Sequence, residues 1–195
     1  MLSDIDPESG FRLPIPRRDD LDEAGRKAYD LAAVPGRTIA GLQGPAGIQL
    51  YSTKTVEHLQ GLHNYLRYQA GFSAATREIA ILVVAREMDC QFQWVMHEAV
   101  ALKEGVPLRT LDVIRYRQST ESLEELDAVV IGLGREAYGN HRVTSATFSR
   151  ALAVFGAHRL VDLVLLMATA ATSAALLTVC DMQLRPGMKA SLPSG

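Results

Sequence analysis

The sequence predicts an all-α protein, and three observations carry that expectation. Apolar residues recur at helical spacing along most of the chain, capping and stop residues bracket those segments, and no two strand-like runs are joined by a hairpin turn. At 195 residues the chain is long enough for one well-buried core, and nothing in it demands a second domain. Hydrophobic residues make up 48% and charged residues 22%, ordinary values for a globular protein and not for a disordered one. The net charge is −2, with Lys and Arg interspersed among Asp and Glu, so there is no basic stripe for a nucleic acid. Cys90 and Cys180 make neither a disulfide framework nor a zinc-ligand pair. The N-terminus is acidic and lacks the apolar stretch of a secretory signal, which makes the cytoplasm the expected location.

Residues 1–18, with Pro7, Pro14 and Pro16, read as an extended arm over the surface. A single helical domain is expected over 19–185 and a tail over 186–195. Its first helix runs from Asp19 to Ala33, with Asp19 or Asp20 as cap and Asp22 and Glu23 in the first turn. The segment from Val34 to Tyr51 is long and rich in glycine and proline, the kind of structured loop that shapes a binding site. Ser52 is placed to cap the next helix, in which Val56, Leu59, Leu62 and Leu66 repeat at helical spacing until Gly71 stops it. Ser73 to Glu87 is centred on IAILVVA. Its β-branched content suits a buried strand, but Arg77, Glu78, Arg86 and Glu87 at its flanks give a unit of helical length. Asp89 is the expected cap of a helix over Cys90–Glu104, closed by Gly105 and Pro107. Further helices are expected at 107–117, 120–138, 144–155 and 158–183.

The stretch from Leu163 to Cys180 has no charge and approaches the length of a membrane-spanning helix. It is rich in Ala, Thr and Ser, which insert weakly and favour close helix contacts. A core or subunit-interface helix is the better reading, and no membrane is expected.

Few motifs carry chemistry. GLQGPAG, from Gly41 to Gly47, is neither a dinucleotide fingerprint nor a P-loop. His97-Glu98 begins like a zinc-binding HExxH, but position 101 is Ala; His58 and His63, five apart, do not share a helical face. No metal and no cofactor are expected. What remains is the hairpin TREIAILVVAREMDCQFQWVMHEA. If its helices run antiparallel about Met88–Asp89, Glu78 and His97 lie roughly 16 and 12 Å from the turn, at a rise of about 1.5 Å per residue. Gln93 precedes His97 by one turn on the same face. Cys90 sits at a helix start, where the dipole lowers a thiol pKa. A carboxylate opposite an imidazole in an apolar hairpin suits a proton relay. Structural roles stand beside these: a carboxylate favoured in a first helical turn for Glu78, a hydrogen-bonded core imidazole for His97, a small hydrophobe for Cys90 and a core aromatic for Trp94.

The spacing of Glu78, Cys90, Gln93 and His97, with ALKEGV (Ala101 to Val106) behind it, resembles the carboxymuconolactone decarboxylase/AhpD-like family. The Gly/Pro loop leading to Leu50-Tyr51-Ser52 and the segment FGAHRLVDLVLL also look familial. The resemblance implies an AhpD-like helical domain with a central antiparallel hairpin, assembled as trimers or hexamers. In the family's peroxidases a CxxC pair supplies the attacking and resolving sulfurs, and the attacking position is Gln93 here. An amide cannot become a sulfenic acid, so the chain is more similar to the decarboxylase branch. Three functions are therefore weighed. The first is a cofactor-independent lyase or isomerase acting on a small carboxylic acid or lactone. In it, Glu78 and His97 relay protons, Gln93 and Trp94 shape the pocket, Arg86 (with Arg67 as the alternative) holds a carboxylate, and the 36–51 loop forms a wall or lid. The second is an AhpD-like, peroxiredoxin-type peroxidase acting through Cys90. The third is a non-catalytic helical oligomer that binds a small ligand.

Overall fold

The computed structural model describes residues 4–193, which form eight α-helices and no strand. Residues 1–3 and 194–195, the ends of the expected arm and tail, lie outside the described residues. The helices are α1 (Glu23–Ala33), α2 (Pro45–Gln49), α3 (Thr53–Tyr68), α4 (Ala74–Glu87), α5 (Gln91–Lys103), α6 (Leu108–Arg115), α7 (Glu125–Gly134) and α8 (Ser145–Val179).

The fold is organised around α4. Ser73 caps it, its side chain accepting from the Thr76 amide, and every residue from Ile79 to Arg86 is buried. A helix that is apolar on all sides must be surrounded, and α5, α7 and α8 pack around α4, with α6 across its end. The apolar run that admitted a strand is thus a central helix, because its packing partners arrive from several directions and not from two faces. At one crossing α7 comes so close that a Cβ added to Gly134 would lie 2.4 Å from Val83 Cγ1.

The turn between α4 and α5 differs from the expectation in a telling way. Asp89 does not cap α5; it stands at φ 50°, in the left-handed position that ends α4. The Cys90 amide donates to Ala85 O (2.8 Å) and the Asp89 amide to Arg86 O (3.2 Å), satisfying carbonyls that the helix end leaves free. The Asp89 carboxylate is taken by Arg86 of the preceding turn. The N-cap position of α5 falls to Cys90, whose carbonyl accepts from the Trp94 amide at 3.0 Å.

Other boundaries shift for local reasons. A short 3-10 turn occupies Arg18–Asp20, and α1 is capped by Asp22, which accepts from the Gly25 amide, in place of Asp19 or Asp20. Ser52 does precede α3 but makes no capping side-chain bond. The long loop is not irregular throughout: Pro45 at the first position starts α2, followed by a 3-10 turn at Leu50–Ser52. The helix expected from residue 120 begins at Glu125 and runs into a π-helical turn at Arg135–Gly139. The two late helices are divided where expected: α8 comprises two helical stretches separated by the non-helical Gly156 (φ 69°, ψ 165°), the second ending at Val179.

By length and composition α8 could cross a membrane. Yet Leu160, Leu163, Leu166, Met167, Ala170, Ala174 and Leu177 are buried inside the protein, as in a core helix. The N-terminal arm is also more than a surface strap. Phe11 is fully buried in a second apolar cluster with Phe92, Leu177 and both cysteines.

Candidate functional site

The hairpin sets its two polar residues against each other. Glu78 Oε2 lies 2.7 Å from His97 Nδ1, although the residues are 19 apart and on opposite sides of the turn. An ionised carboxylate offers only acceptors, so the shared proton belongs on Nδ1 and Nε2 keeps a free lone pair. Glu78 is 4% exposed and lies behind the imidazole. His97 lines a cavity of about 310 Å³ enclosed by α3, α5, α8 and the 37–49 loop. Among the described residues no Asp or Glu lines it; the charged or titratable ones that do are Arg37, His63, Arg67, Tyr68 and His97.

Arg67 is the next neighbour of the pair. Its guanidinium approaches Glu78 Oε1 at 3.8 Å, an ion pair too long for a hydrogen bond. Its Nε is buried without a partner, as is Oε1 of the buried Gln93 one turn before His97. Buried polar groups are nearly always satisfied, so unpartnered ones in the wall of a cavity are places where a ligand or water completes the bonding. His63, one turn before Arg67 on α3, opens onto the same cavity. Burial in the surrounding protein, then the positive charge of Arg67 and the proximity of the His97 imidazole, lower its pKa to about 4, which favours the uncharged imidazole at neutral pH.

The remaining sequence candidates fall elsewhere. Trp94 is fully buried outside the cavity: its Nε1 donates to Glu98 Oε2 at 3.1 Å, and the Arg115 guanidinium stands 5.5 Å over its ring. The reason is the helix's own geometry. Gln93 and His97 form one row facing the cavity, while Trp94 and Glu98 form the adjacent row facing α6. Arg86 is buried and spent on the turn, donating from Nε to Arg115 O at 2.8 Å and pairing with Asp89; it does not reach the cavity, and Arg67 takes the place expected of it. Cys90 packs in the second apolar cluster, and burial pushes its thiol pKa up, overriding the lowering expected at a helix start. Both cysteines are free thiols. The sequence offers His63 only beside His58 as a metal ligand, whereas its i,i+4 spacing to Arg67 is the signal that places both on one face. Among the described residues no cluster of His, Cys, Asp or Glu is arranged to hold a metal.

Residues 54–129 match the family model of the carboxymuconolactone decarboxylase family. Over that stretch the chain is similar to the carboxymuconolactone decarboxylase family. No curated protein matches the sequence. The matched segment holds His63, Arg67, Glu78, Gln93 and His97, so the Glu78–His97 pair and its polar neighbours lie within the stretch that resembles that family. The opposite walls, from the 37–49 loop and α8, lie outside the match.

Proposed function

We propose that this protein is a cofactor-independent lyase or isomerase of carboxymuconolactone decarboxylase type, moving a proton on a small carboxylic acid or lactone. The observation that supports the reading is the 2.7 Å Glu78–His97 contact at the wall of an acid-free cavity. In this reading Nε2 of His97 takes a proton from the carbon beside a carbonyl, or returns one to it, and Glu78 holds the tautomer and offsets the imidazolium charge. Arg67 faces the substrate's carboxylate, a role left open by its lack of hydrogen bonds among the described residues. Decarboxylation without a cofactor leaves an electron pair that the substrate's own conjugated carbonyl must accept. Gln93, with an unpartnered amide oxygen, is available to orient that end of the substrate.

Nothing in the site favours a thiol peroxidase. Cys90 lies outside the cavity, 5% exposed, with a raised pKa. A silent scaffold would have a collapsed apolar core where the open, polar-lined cavity lies. The assembly as trimers or hexamers belongs to the same proposal, and the exposed Val161, Val164 and Leu165 on α8 offer an apolar face for it. Two free thiols suit a reducing cytoplasm. The test is turnover of a panel of unsaturated lactone acids by the wild type and by His97→Ala. We expect the variant to lose about 10²–10⁴-fold in kcat while remaining folded; equal turnover by both would overturn the reading.

A further inference from the structure

The strip of residues 37–41, one wall of the cavity, has open space on both sides. Thr38, Ile39, Ala40 and Gly41 line the cavity on one face and an open groove of about 460 Å³ on the other. Little packing holds such a wall. Within the strip only Ala40 is buried, and it contributes a single methyl group to the second apolar cluster. The hydrogen bonds made inside the strip are local: the Gly41 amide donates to Thr38 Oγ1 at 2.8 Å and the Arg37 amide to Val34 O at 3.1 Å.

What fixes the strip comes from the two ends of the chain. Arg185, beyond α8, donates from Nη2 to the carbonyls of Ala40 and Gln43, the second at 3.1 Å. Gln43 Nε2 donates to Glu8 O of the N-terminal arm at 2.8 Å. Among the described residues these are the only hydrogen bonds that tie residues 37–43 to segments distant in sequence. Arg185 reaches out from a fixed base, because arm and tail are themselves paired. The Arg12 amide donates to Cys180 O at 2.8 Å and the Gln183 amide to Gly10 O at 2.9 Å. A single guanidinium nitrogen thus bridges two carbonyls of the loop, and its charge strengthens both bonds. Arg185 lines the groove and not the cavity, so it can act on a ligand only through the wall.

We propose that Arg185 is a positioning residue for the cavity: it holds the wall of residues 37–41 against the site, and so governs ligand entry and affinity without touching the ligand. This rests on the reading of the cavity as the substrate site and adds what sets its far wall. The Glu78–His97 pair is carried by α4 and α5, which pack on each other. Loosening the wall therefore weakens binding and spares the chemical step.

Three readouts on wild type, Arg185→Ala and Arg185→Lys test it. The first needs no substrate: modification by diethyl pyrocarbonate at neutral pH, mapped to individual histidines by mass spectrometry. The side chain of His97 is 12% exposed and that of His158 82%, so His158 is the control. Arg185→Ala should raise the rate at His97 by about threefold or more and leave His158 unchanged. Arg185→Lys, which keeps a charged donor, should recover part of the difference. The second readout is amide exchange, expected to quicken in residues 37–43 and not in α4 or α5. The third is turnover of the lactone acids, where Arg185→Ala should raise KM by about fivefold or more with kcat within about twofold of wild type. The proposal is overturned if His97 reacts at the wild-type rate, if exchange in residues 37–43 is unchanged, or if an active Arg185→Ala keeps the wild-type KM. Should Arg185→Ala fail to fold, Arg185→Gln is read in the same way. If the wild type turns over none of the lactone acids while His97 becomes more reactive in Arg185→Ala, the catalytic reading falls and this one stands.

Discussion

Replacing Glu78 by Gln separates a catalytic pair from a structural one, because the two roles predict different magnitudes. The substitution keeps the shape and removes the charge of a side chain that is 4% exposed. Its hydrogen bond to His97 Nδ1 changes from charge-assisted to neutral, a net loss of about 1 kcal/mol. Arg67, 3.8 Å away, also loses its anion. Coulomb's law at an effective dielectric of about 20 gives that contact roughly 4 kcal/mol gross. Much of this is offset by the desolvation that Glu78 suffers in the wild type. The Arg67 side chain is itself 22% exposed, so water shares in screening the pair. The sum is a stability loss of about 1–2 kcal/mol, inside the usual margin of a folded domain of this size. The effect on turnover is larger. An amide can turn its NH₂ toward Nδ1 and so place the ring proton on Nε2, which removes the base from the cavity. The expected fall in kcat is about 10²–10⁴-fold, or roughly 3–5 kcal/mol of barrier. Urea unfolding and turnover, measured on the same preparation, check both numbers. A variant that loses 4 kcal/mol or more of stability but turns over normally would show that the pair only holds the hairpin together.

Further outcomes follow from particular contacts. Gly134→Ala should lower stability by about 1–3 kcal/mol in thermal unfolding, because its Cβ would meet the buried Val83 at 2.4 Å; an unchanged Tm would contradict the close α4–α7 crossing. His63 is depressed from 6.5 to about 4, so the unfolded chain binds more protons between those values. Stability is therefore expected to fall as pH is lowered from 6.5 through 4, a slope that His63→Leu should reduce; an identical pH profile for the variant would refute it. Cys90, buried and with a raised pKa, should react with iodoacetamide at pH 7.5 more slowly than an unhindered thiol of pKa about 8.5. Rapid alkylation, or sulfenic acid formed with dilute peroxide, would reopen the peroxidase reading. Val164→Glu, on the exposed face of α8, should shift the mass measured by light scattering toward the monomer if that face joins the subunits.

The all-α class and the order of the long helices were legible because amphipathic spacing and stop residues are local signals. Glu78 and His97 were legible because a short turn between two helices leaves little freedom in which residues meet. Asp89 is ambiguous in sequence because the same residue types serve at the start of one helix and in the left-handed end of another. Sequence proximity points Trp94 and Arg86 to the cavity, but helical rows 100° apart send Trp94 toward α6 and the tight turn engages Arg86. The far walls of the cavity, from the 37–49 loop and α8, come together through contacts over a hundred residues apart in sequence. Arg185 donating to Gln43 O is one such contact. No local pattern encodes them.

The central claim is that His97, oriented by Glu78, moves a proton on a carbon of a ligand in this cavity. Its most direct measurement is proton NMR of hydrogen–deuterium exchange beside the carbonyl of a lactone acid in D₂O, with wild type and His97→Ala compared. The account predicts catalysed exchange by the wild type and a loss of about 10²-fold or more in the variant. Exchange at the same rate with both proteins would contradict it.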